Sequence, residues 1–215
     1  DVNSQLTRIT AHHGNPSTVS YDRLGRRTRI TDPDIGVRDF TYDANGNVLT
    51  ERAGGLETIH WTHDALGRPQ TKRGTSLRNW APATIVWQYD TSPHGIGLLA
   101  VRYDDGTHNY RVLDYDALGR ATREQYTLTV VNGRRTFVFD NSYDPLGQLL
   151  SRKHPTGTQV TFARDPRGYL TSITSGSGPP DAASIQWSAD GRVTSWTSPG
   201  GAVSTARYAA DSRRL

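Results

Sequence analysis

The chain has 215 residues, a mean hydropathy of -0.66 and 34% hydrophobic residues, a polar composition that disfavours a thick core. It contains no cysteine, which excludes disulfides and thiolate metal sites. The net charge of +4 arises from 25 Lys and Arg that are spread along the chain and interleaved with 21 Asp and Glu, a distribution that disfavours nucleic-acid binding.

Residues that favour helices are scarce, whereas residues typical of strands and turns are abundant. Only 3 of the acidic residues are Glu, only 2 of the basic residues are Lys, and Met is absent. No apolar run approaches the length that spans a bilayer, and neither a start Met nor an apolar leader stands at the beginning. We therefore expect an all-β segment of a larger protein.

A motif of the form Tyr-Asp-x-x-Gly recurs along the chain at intervals of 21 to 28 residues. Asp in the second place can accept hydrogen bonds from backbone amides, and Gly in the fifth tolerates the left-handed conformation. These features predict a type I turn closed by a G1 bulge, so each motif is expected to form a hairpin tip. In chain order the residues in the first, second and fifth places are Tyr21, Asp22 and Gly25; Tyr42, Asp43 and Gly46; His63, Asp64 and Gly67; Tyr89, Asp90 and Gly95, with a longer turn; Tyr115, Asp116 and Gly119; Tyr143, Asp144 and Gly147; Arg164, Asp165 and Gly168; and, in degenerate copies, Trp187 with Gly191 and Tyr208 with Ser212.

A second turn signal lies about midway between successive tips. Two turns in about 21 residues leave room for two strands of five to seven residues, so the predicted unit is strand, turn, strand, turn. These second turns are predicted at Asp34-Ile35-Gly36, Gly54-Gly55, Arg73-Gly74, Asp104-Asp105-Gly106, Asn132-Gly133, Thr156-Gly157, Gly176-Ser177-Gly178 and Pro199-Gly200-Gly201.

An apolar stripe accompanies the tips. Side chains two residues apart on a strand share a face, and the position two before each tip's first residue is apolar in eight of nine repeats. The stripe consists of Val19, Phe40, Trp61, Trp87, Leu113, Asn141, Phe162, Ile185 and Ala206. We expect it to pack with the tip Tyr rings on one face, while the other face is wetted. One hairpin cannot bury such a stripe, so neighbouring hairpins are expected to join into one long coiling sheet.

These in-phase motifs resemble the Rhs/YD-repeat family of bacterial polymorphic toxins, insecticidal toxin-complex subunits and animal teneurins, over nearly the whole chain. The resemblance implies tandem hairpins in a laterally extended sheet that spirals into a hollow shell. Residues 1–215 are expected to be a single array of eight to nine repeats, truncated at both ends.

The resemblance also implies a function. In bacterial members the shell encloses a C-terminal toxin, so we expect a secreted or exported bacterial protein that is not an enzyme and has no cofactor. The expected partners are the rest of the shell and the enclosed toxin polypeptide, with secretion machinery or cell-surface glycans as further candidates; we expect neither nucleic acid nor a membrane span.

Two motifs invite sharper interpretations. Many bacterial members have an autoproteolytic core with Asp-Pro-x-Gly-Leu motifs, and Asp144-Pro145-Leu146-Gly147 and Asp165-Pro166-Arg167-Gly168 are similar, but Gln148 and Tyr169 replace the Leu and both segments fall in register with the tips. The dinucleotide-like pattern from Gly95 to Ala100 leads into a further turn rather than a helix, which disfavours cofactor binding.

The aspartates, histidines and tryptophans of the chain also allow functional interpretations. The motif Asp residues recur in one turn position, which favours a backbone role over a catalytic pair of carboxylates. His60 and His63, with His12 and His13 nearby in sequence, lack further ligands at metal-site spacing, and no nucleophile elbow is present. The five tryptophans can stack on sugars, so the alternative function is an extracellular carbohydrate-binding or adhesion module. They are Trp61, Trp80, Trp87, Trp187 and Trp196.

Overall fold

A computed structural model of the chain describes residues 5–10, 15–54, 57–76 and 84–208. Every regular element within these ranges is a β-strand, and within each sheet consecutive strands pair as antiparallel hairpins, so the predicted all-β fold of tandem hairpins is confirmed. Among the same residues no helix is long and apolar enough to cross a membrane. His12, His13, Gly55, Trp80 and Ser212, which entered the predictions, lie outside the described residues.

The chain divides into two compact units. The first comprises Asp1–Thr91, Leu99–Arg111 and Leu128–Gly133, and the second comprises Ser92–Leu98, Val112–Thr127 and Arg134–Leu215. The strands of the first unit are β1 (Arg8–Ile9), β2 (Ser17–Tyr21), β3 (Arg27–Asp32), β4 (Gly36–Tyr42), β5 (Val48–Ala53), β6 (Glu57–His63), β7 (Pro69–Ser76), β8 (Thr84–Tyr89) and β9 (Leu99–Asp104). Strands β10 (Asn109–Tyr115), β11 (Ala121–Val130) and β12 (Gly133–Tyr143) have residues in both units, and the second unit contains β13 (Leu149–Lys153), β14 (Gln159–Arg164), β15 (Leu170–Ser175), β16 (Ala183–Trp187), β17 (Val193–Thr197) and β18 (Val203–Thr205).

The strands follow one another in chain order, β1 to β15 in one sheet and β16 to β18 in another. One long sheet was expected, so the break after β15 corrects that prediction. Among the described residues, strand-type backbone pairing across the break is limited to one isolated bridge, Ile173 to Ala182. The intervening segment contains Pro179 and Pro180, which have no amide to donate to a ladder. Just beyond it, Ser184 adopts a φ of 51° where the register of β16 with β17 shifts.

The second set of turns largely follows the prediction, with one exception. The predicted turn at Arg73–Gly74 is wrong, because β7 continues through Gly74, which pairs with Ile59 of β6. A Cβ at Gly74 would lie 2.7 Å from the Glu57 Oε1 atom. The glycine here admits a close side chain within a strand, a use of glycine that local sequence does not distinguish from a turn.

The two faces of the sheet differ as the alternation predicts. In β2 the stripe residue Val19 and the tip residue Tyr21 are half-buried, whereas Thr18 and Ser20 between them are exposed. Burial is nevertheless shallow: among the described residues, the buried apolar side chains are Ala100, Leu113 and Ile185, at 2, 6 and 9% exposure. The stripe therefore forms a thin apolar layer, as the polar composition predicts.

The structure places Gly46 at a φ of 90°, a region in which a branched side chain is strained. We expect Gly46→Val to lower the free energy of unfolding by about 1–2 kcal/mol, measured by urea denaturation. Gly178→Val is the matched control, since Gly178 has open space around it and no left-handed φ, and its effect is expected to stay within about 0.5 kcal/mol. Equal losses in the two variants would contradict the role assigned to Gly46.

Candidate functional site

The repeated tips are the most regular feature of the molecule. At the first tip the Asp22 amide donates to the Arg26 carbonyl at 2.9 Å and the Gly25 amide donates to the Asp22 carbonyl at 3.0 Å, with Gly25 at a φ of 80°. This is a type I turn followed by a residue in the left-handed region, closed by the bulge pair. The same two hydrogen bonds recur at the tips whose second residues are Asp43, Asp64, Asp116, Asp144, Asp165 and Ser188.

The Asp carboxylate organises each turn from within. At the first tip, Asp22 Oδ1 accepts hydrogen bonds from the amides of Leu24 and Arg26, both at 2.9 Å. The Arg26 amide, the Arg26 guanidinium and the Leu24 amide together hold the pKa of Asp22 below its usual value. At the second tip, the side-chain amide of Asn47 contributes most to lowering the pKa of Asp43. Each of these carboxylates stabilises backbone and is unsuited to act as a shared general acid and base.

The fourth tip departs from the predicted assignment. Tyr89 pairs with Leu99, so the loop extends through Leu98 instead of ending at Gly95. Gly97, at a φ of 83°, takes the place that Gly25 has in the first tip, whereas Gly95 is not in the left-handed region and packs against the Tyr115 ring. The Gly95 amide closes the predicted turn on the Ser92 carbonyl at 2.9 Å, so the two tasks of the motif glycine, the turn hydrogen bond and the left-handed φ, are divided between Gly95 and Gly97 in this longer loop.

Sequence reasoning missed the residue that directly follows the motif glycine, which we call the sixth residue. It is an arginine in four repeats and a different residue in the others. The recurring arginine is visible in the sequence when the repeats are superposed on their motif glycines. The sixth residues are Arg26, Asn47, Arg68, Leu98, Arg120, Gln148, Tyr169 and Arg192, and Gln5 holds the equivalent place before the first described tip. In every described repeat this residue lies between its own tip and the next, a region that we call the junction.

An arginine as sixth residue connects two tips. Arg26 Nε donates to Asp22 of its own tip at 2.7 Å, while its NH1 donates to the Asp43 carbonyl of the next tip at 3.0 Å. The same guanidinium lies over the Tyr42 ring, 4.8 Å from its centroid. Arg120 makes the corresponding three contacts, with Asp116, with the Asp144 carbonyl at 2.7 Å and with the Tyr143 ring at 4.9 Å.

The other two arginine junctions follow the same plan with local variation. Arg68 binds the carboxylates of both Asp64 and Asp90, which raises its pKa, and it lies 4.3 Å from the Tyr89 ring centroid. Arg192 pairs with Asp190 and lies 4.6 Å from the Tyr208 ring centroid. In each case one cation binds a carboxylate of its own turn and the first aromatic ring of the following repeat.

The tip tyrosines complete the junction from the other side. The Tyr42 hydroxyl donates to the Arg27 carbonyl at 2.6 Å, and the Tyr143 hydroxyl donates to the Ala121 carbonyl at 2.8 Å. Both acceptors come directly after the sixth residue of the preceding repeat. Trp187 Nε1 donates at 2.8 Å to the equivalent carbonyl, that of Leu170. The polar end of the ring thus binds backbone, which adds to the predicted packing of the ring a hydrogen bond that sets its position.

Shorter sixth residues approach the glycine of the next tip. A Cβ at Gly67 would lie 3.1 Å from Asn47 Oδ1, and a Cβ at Gly168 would lie 2.6 Å from Gln148 Nε2. Glycine is therefore required at these positions for two reasons: it adopts a left-handed φ, and it leaves space for the side chain of the preceding repeat. At the junction of Asn47 a recess of about 300 Å³ lies among Phe40, Val48, Trp61, His63 and Pro69.

The geometry gives little support to the alternative sugar, metal and dinucleotide sites. Trp61 stacks on Trp87 with ring centroids 6.0 Å apart, and Lys72 and Arg102 lie over the two rings, so these ring faces are engaged within the sheet. His60 is exposed and His63 is half-buried, and within the described part of the chain no three His, Asp or Glu side chains come together as metal ligands. The dinucleotide-like segment is followed by strand β9.

Comparison with known proteins agrees with the repeat pattern. The family model described as RHS Repeat matches residues 1–34 and 143–180, while no curated protein matches the sequence. A crystal structure of TcdB2-TccC3-TEV matches 85% of this chain and 10% of its own with a TM-score of 0.73 at 14% identity. A crystal structure of TcdB2-TccC3 without hypervariable C-terminal region matches 97% of this chain and 13% of its own with a TM-score of 0.75 at 13% identity.

A Tc holotoxin pore of Photorhabdus luminescens has the same fold over 94% of this chain and 12% of its own, with a TM-score of 0.60 at 14% identity. The chain therefore spans about a tenth of the length of these structures and shares their fold. The resemblance to Rhs/YD repeats is confirmed by the family match and by this fold.

The tip carboxylates predict how stability depends on pH. In the folded chain the pKa values of Asp22, Asp43, Asp64 and Asp116 lie below the ordinary 3.8, and hydrogen bonds from Arg192 and Ser188 lower the pKa of Asp190 to about 2. The unfolded chain therefore binds protons first as the pH falls, so we expect stability to be level above about pH 5 and to decline between about pH 4 and pH 2.

Urea denaturation at a series of pH values measures this slope. Asp22→Asn and Asp43→Asn are expected to lower stability at pH 7 and to make the acid-dependent decline shallower. Asp34→Asn, at an exposed turn between the tips, is the control and is expected to leave the slope unchanged. A stability that rises toward pH 3 would contradict the role of the carboxylates.

Proposed function

We propose that this chain is a wall segment of an Rhs-repeat shell that encloses a toxin polypeptide and assists its delivery by a bacterium. The single observation that carries the proposal is the junction, which joins each described tip to the next through the side chain in the same place of the repeat. Such a device extends a sheet by repetition and leaves its faces available as the surfaces of a wall.

The shallow apolar layer supports enclosure. The aromatic stripe residues Phe40, Trp61 and Trp87 are only half-buried, although they carry large apolar surfaces. The faces of Trp61 and Trp87 are engaged by each other and by Lys72 and Arg102, so the part of these rings and cations that stays exposed can contact many sequences only weakly. That property suits the containment of a polypeptide better than the recognition of one small ligand, which needs a concave pocket with convergent polar groups.

The comparisons support the same proposal at the level of fold. The matched structures are named as TcdB2-TccC3 complexes, one with TEV, another without hypervariable C-terminal region. On this basis we propose that residues 1–215 are a single array of repeats within a longer spiralling wall. Its partners are then the remaining repeats of the shell and an enclosed toxin, its place is outside the bacterium, and its motif residues serve structure and not catalysis.

Cryo-electron microscopy of the full-length protein tests this proposal directly. We expect a closed wall in which the segment occupies one portion, with density for a polypeptide inside, and loss of that inner density when the C-terminal region is deleted. A protease should then degrade the toxin region only after the wall is opened by denaturant.

An open sheet with no enclosed density would overturn the proposal. The adhesion alternative makes a separate prediction, because it requires glycan binding at the tryptophans. Binding to a glycan array that is lost in Trp61→Ala and retained in Trp196→Ala would favour that alternative instead.

A further inference from the structure

We infer that the sixth residue of one repeat and the first tip residue of the next are selected as a pair, and that this pair determines which hairpin can follow which along the wall. The inference goes beyond enclosure, because it concerns the order of the repeats and holds whatever the wall contains.

The pairing is visible when the junctions are compared by residue type. Each described arginine in the sixth place is followed by tyrosine: Arg26 by Tyr42, Arg68 by Tyr89, Arg120 by Tyr143 and Arg192 by Tyr208. Where the first tip residue is not tyrosine, the preceding sixth residue is not arginine. The converse does not hold, since Leu98 precedes Tyr115 and Gln5 precedes Tyr21, so the rule concerns where arginine can stand. These junctions are Asn47 with His63, Gln148 with Arg164 and Tyr169 with Trp187.

A physical reason exists for each type of junction. A guanidinium gains from lying over an electron-rich tyrosine ring and from the nearby Asp carbonyl, as Arg120 does at Tyr143 and Asp144. Tyr169 and Trp187 instead place two rings 5.3 Å apart, an aromatic pair in place of the cation. Both alternatives keep the hydrogen bond from the ring to the preceding carbonyl.

The junction of Gln148 with Arg164 shows why the pair excludes arginine in the sixth place. Gln148 reaches Gly168, and the Arg164 NH1 atom donates to the Gly168 carbonyl at 3.4 Å. An arginine at residue 148 would bring a second guanidinium to the same glycine, where two like charges repel. Neutral glutamine avoids this repulsion, so the cation is supplied by one partner of the junction or by the other, and not by both.

The test exchanges the two pair types between two junctions of the second unit. In the full-length protein, Gln148→Arg is expected to speed amide hydrogen exchange in residues 164–169 by about five- to tenfold, because the junction opens more often. Adding Arg164→Tyr is expected to return the rate to within about twofold of the natural protein. Arg164→Tyr alone is expected to have a small effect, since neutral Gln5 already precedes Tyr21 in this chain.

The reciprocal exchange uses the arginine junction. Arg120→Gln and Tyr143→Arg are each expected to speed exchange in residues 143–148, whereas the double variant, which recreates the natural glutamine–arginine pair, is expected to exchange more slowly than Tyr143→Arg. Rescue by the second substitution also shows that the variants fold. If the effects of the two substitutions on the exchange rate simply multiply at both junctions, the pairing inference is wrong. The proposal of an enclosing wall is unaffected by that result.

Discussion

The structure depends on the contact between consecutive hairpin tips. A sheet with so thin an apolar layer cannot rely on a thick core, and a lone hairpin is at best marginally stable in water. The junction supplies a second means of holding neighbours together. Arg26, for example, binds the carboxylate of its own turn, the backbone of the next turn and the face of the next tyrosine with one guanidinium. Loss of that one side chain would affect two repeats at once.

This contact explains why so few residue types suffice for the motif. The aspartate must satisfy turn amides and orient the sixth side chain, and the glycine must adopt a left-handed φ while admitting that side chain from the preceding repeat. The tyrosine must carry a ring for the cation and a hydroxyl for a carbonyl 2.6 to 3.0 Å away. None of these tasks involves a reacting group, which is consistent with the enclosing wall that we propose.

Junctions that depart from the arginine–tyrosine pattern keep the geometry and change the chemistry. In the tip of Ser188 a serine hydroxyl replaces the aspartate as acceptor for the Arg192 amide, at 3.1 Å. Asn141, the polar exception in the apolar stripe, donates to the Ala121 carbonyl at 3.0 Å, the same atom that accepts from the Tyr143 hydroxyl. The backbone arrangement is thus the common element, and side chains of several kinds satisfy it.

The sequence by itself determined the all-β fold, the hairpin tips and the alternation of the faces, because turn chemistry and a period of two are local properties. Local pattern could not determine that Gly74 lies in a strand, that Gly97 and not Gly95 adopts the left-handed φ of the fourth tip, or that the sheet breaks after β15. Those outcomes depend on which strands pair and in which register. The junction was likewise decided only by tertiary structure, since Arg26 and Tyr42 are 16 residues apart and meet because two antiparallel strands return the chain to the same edge.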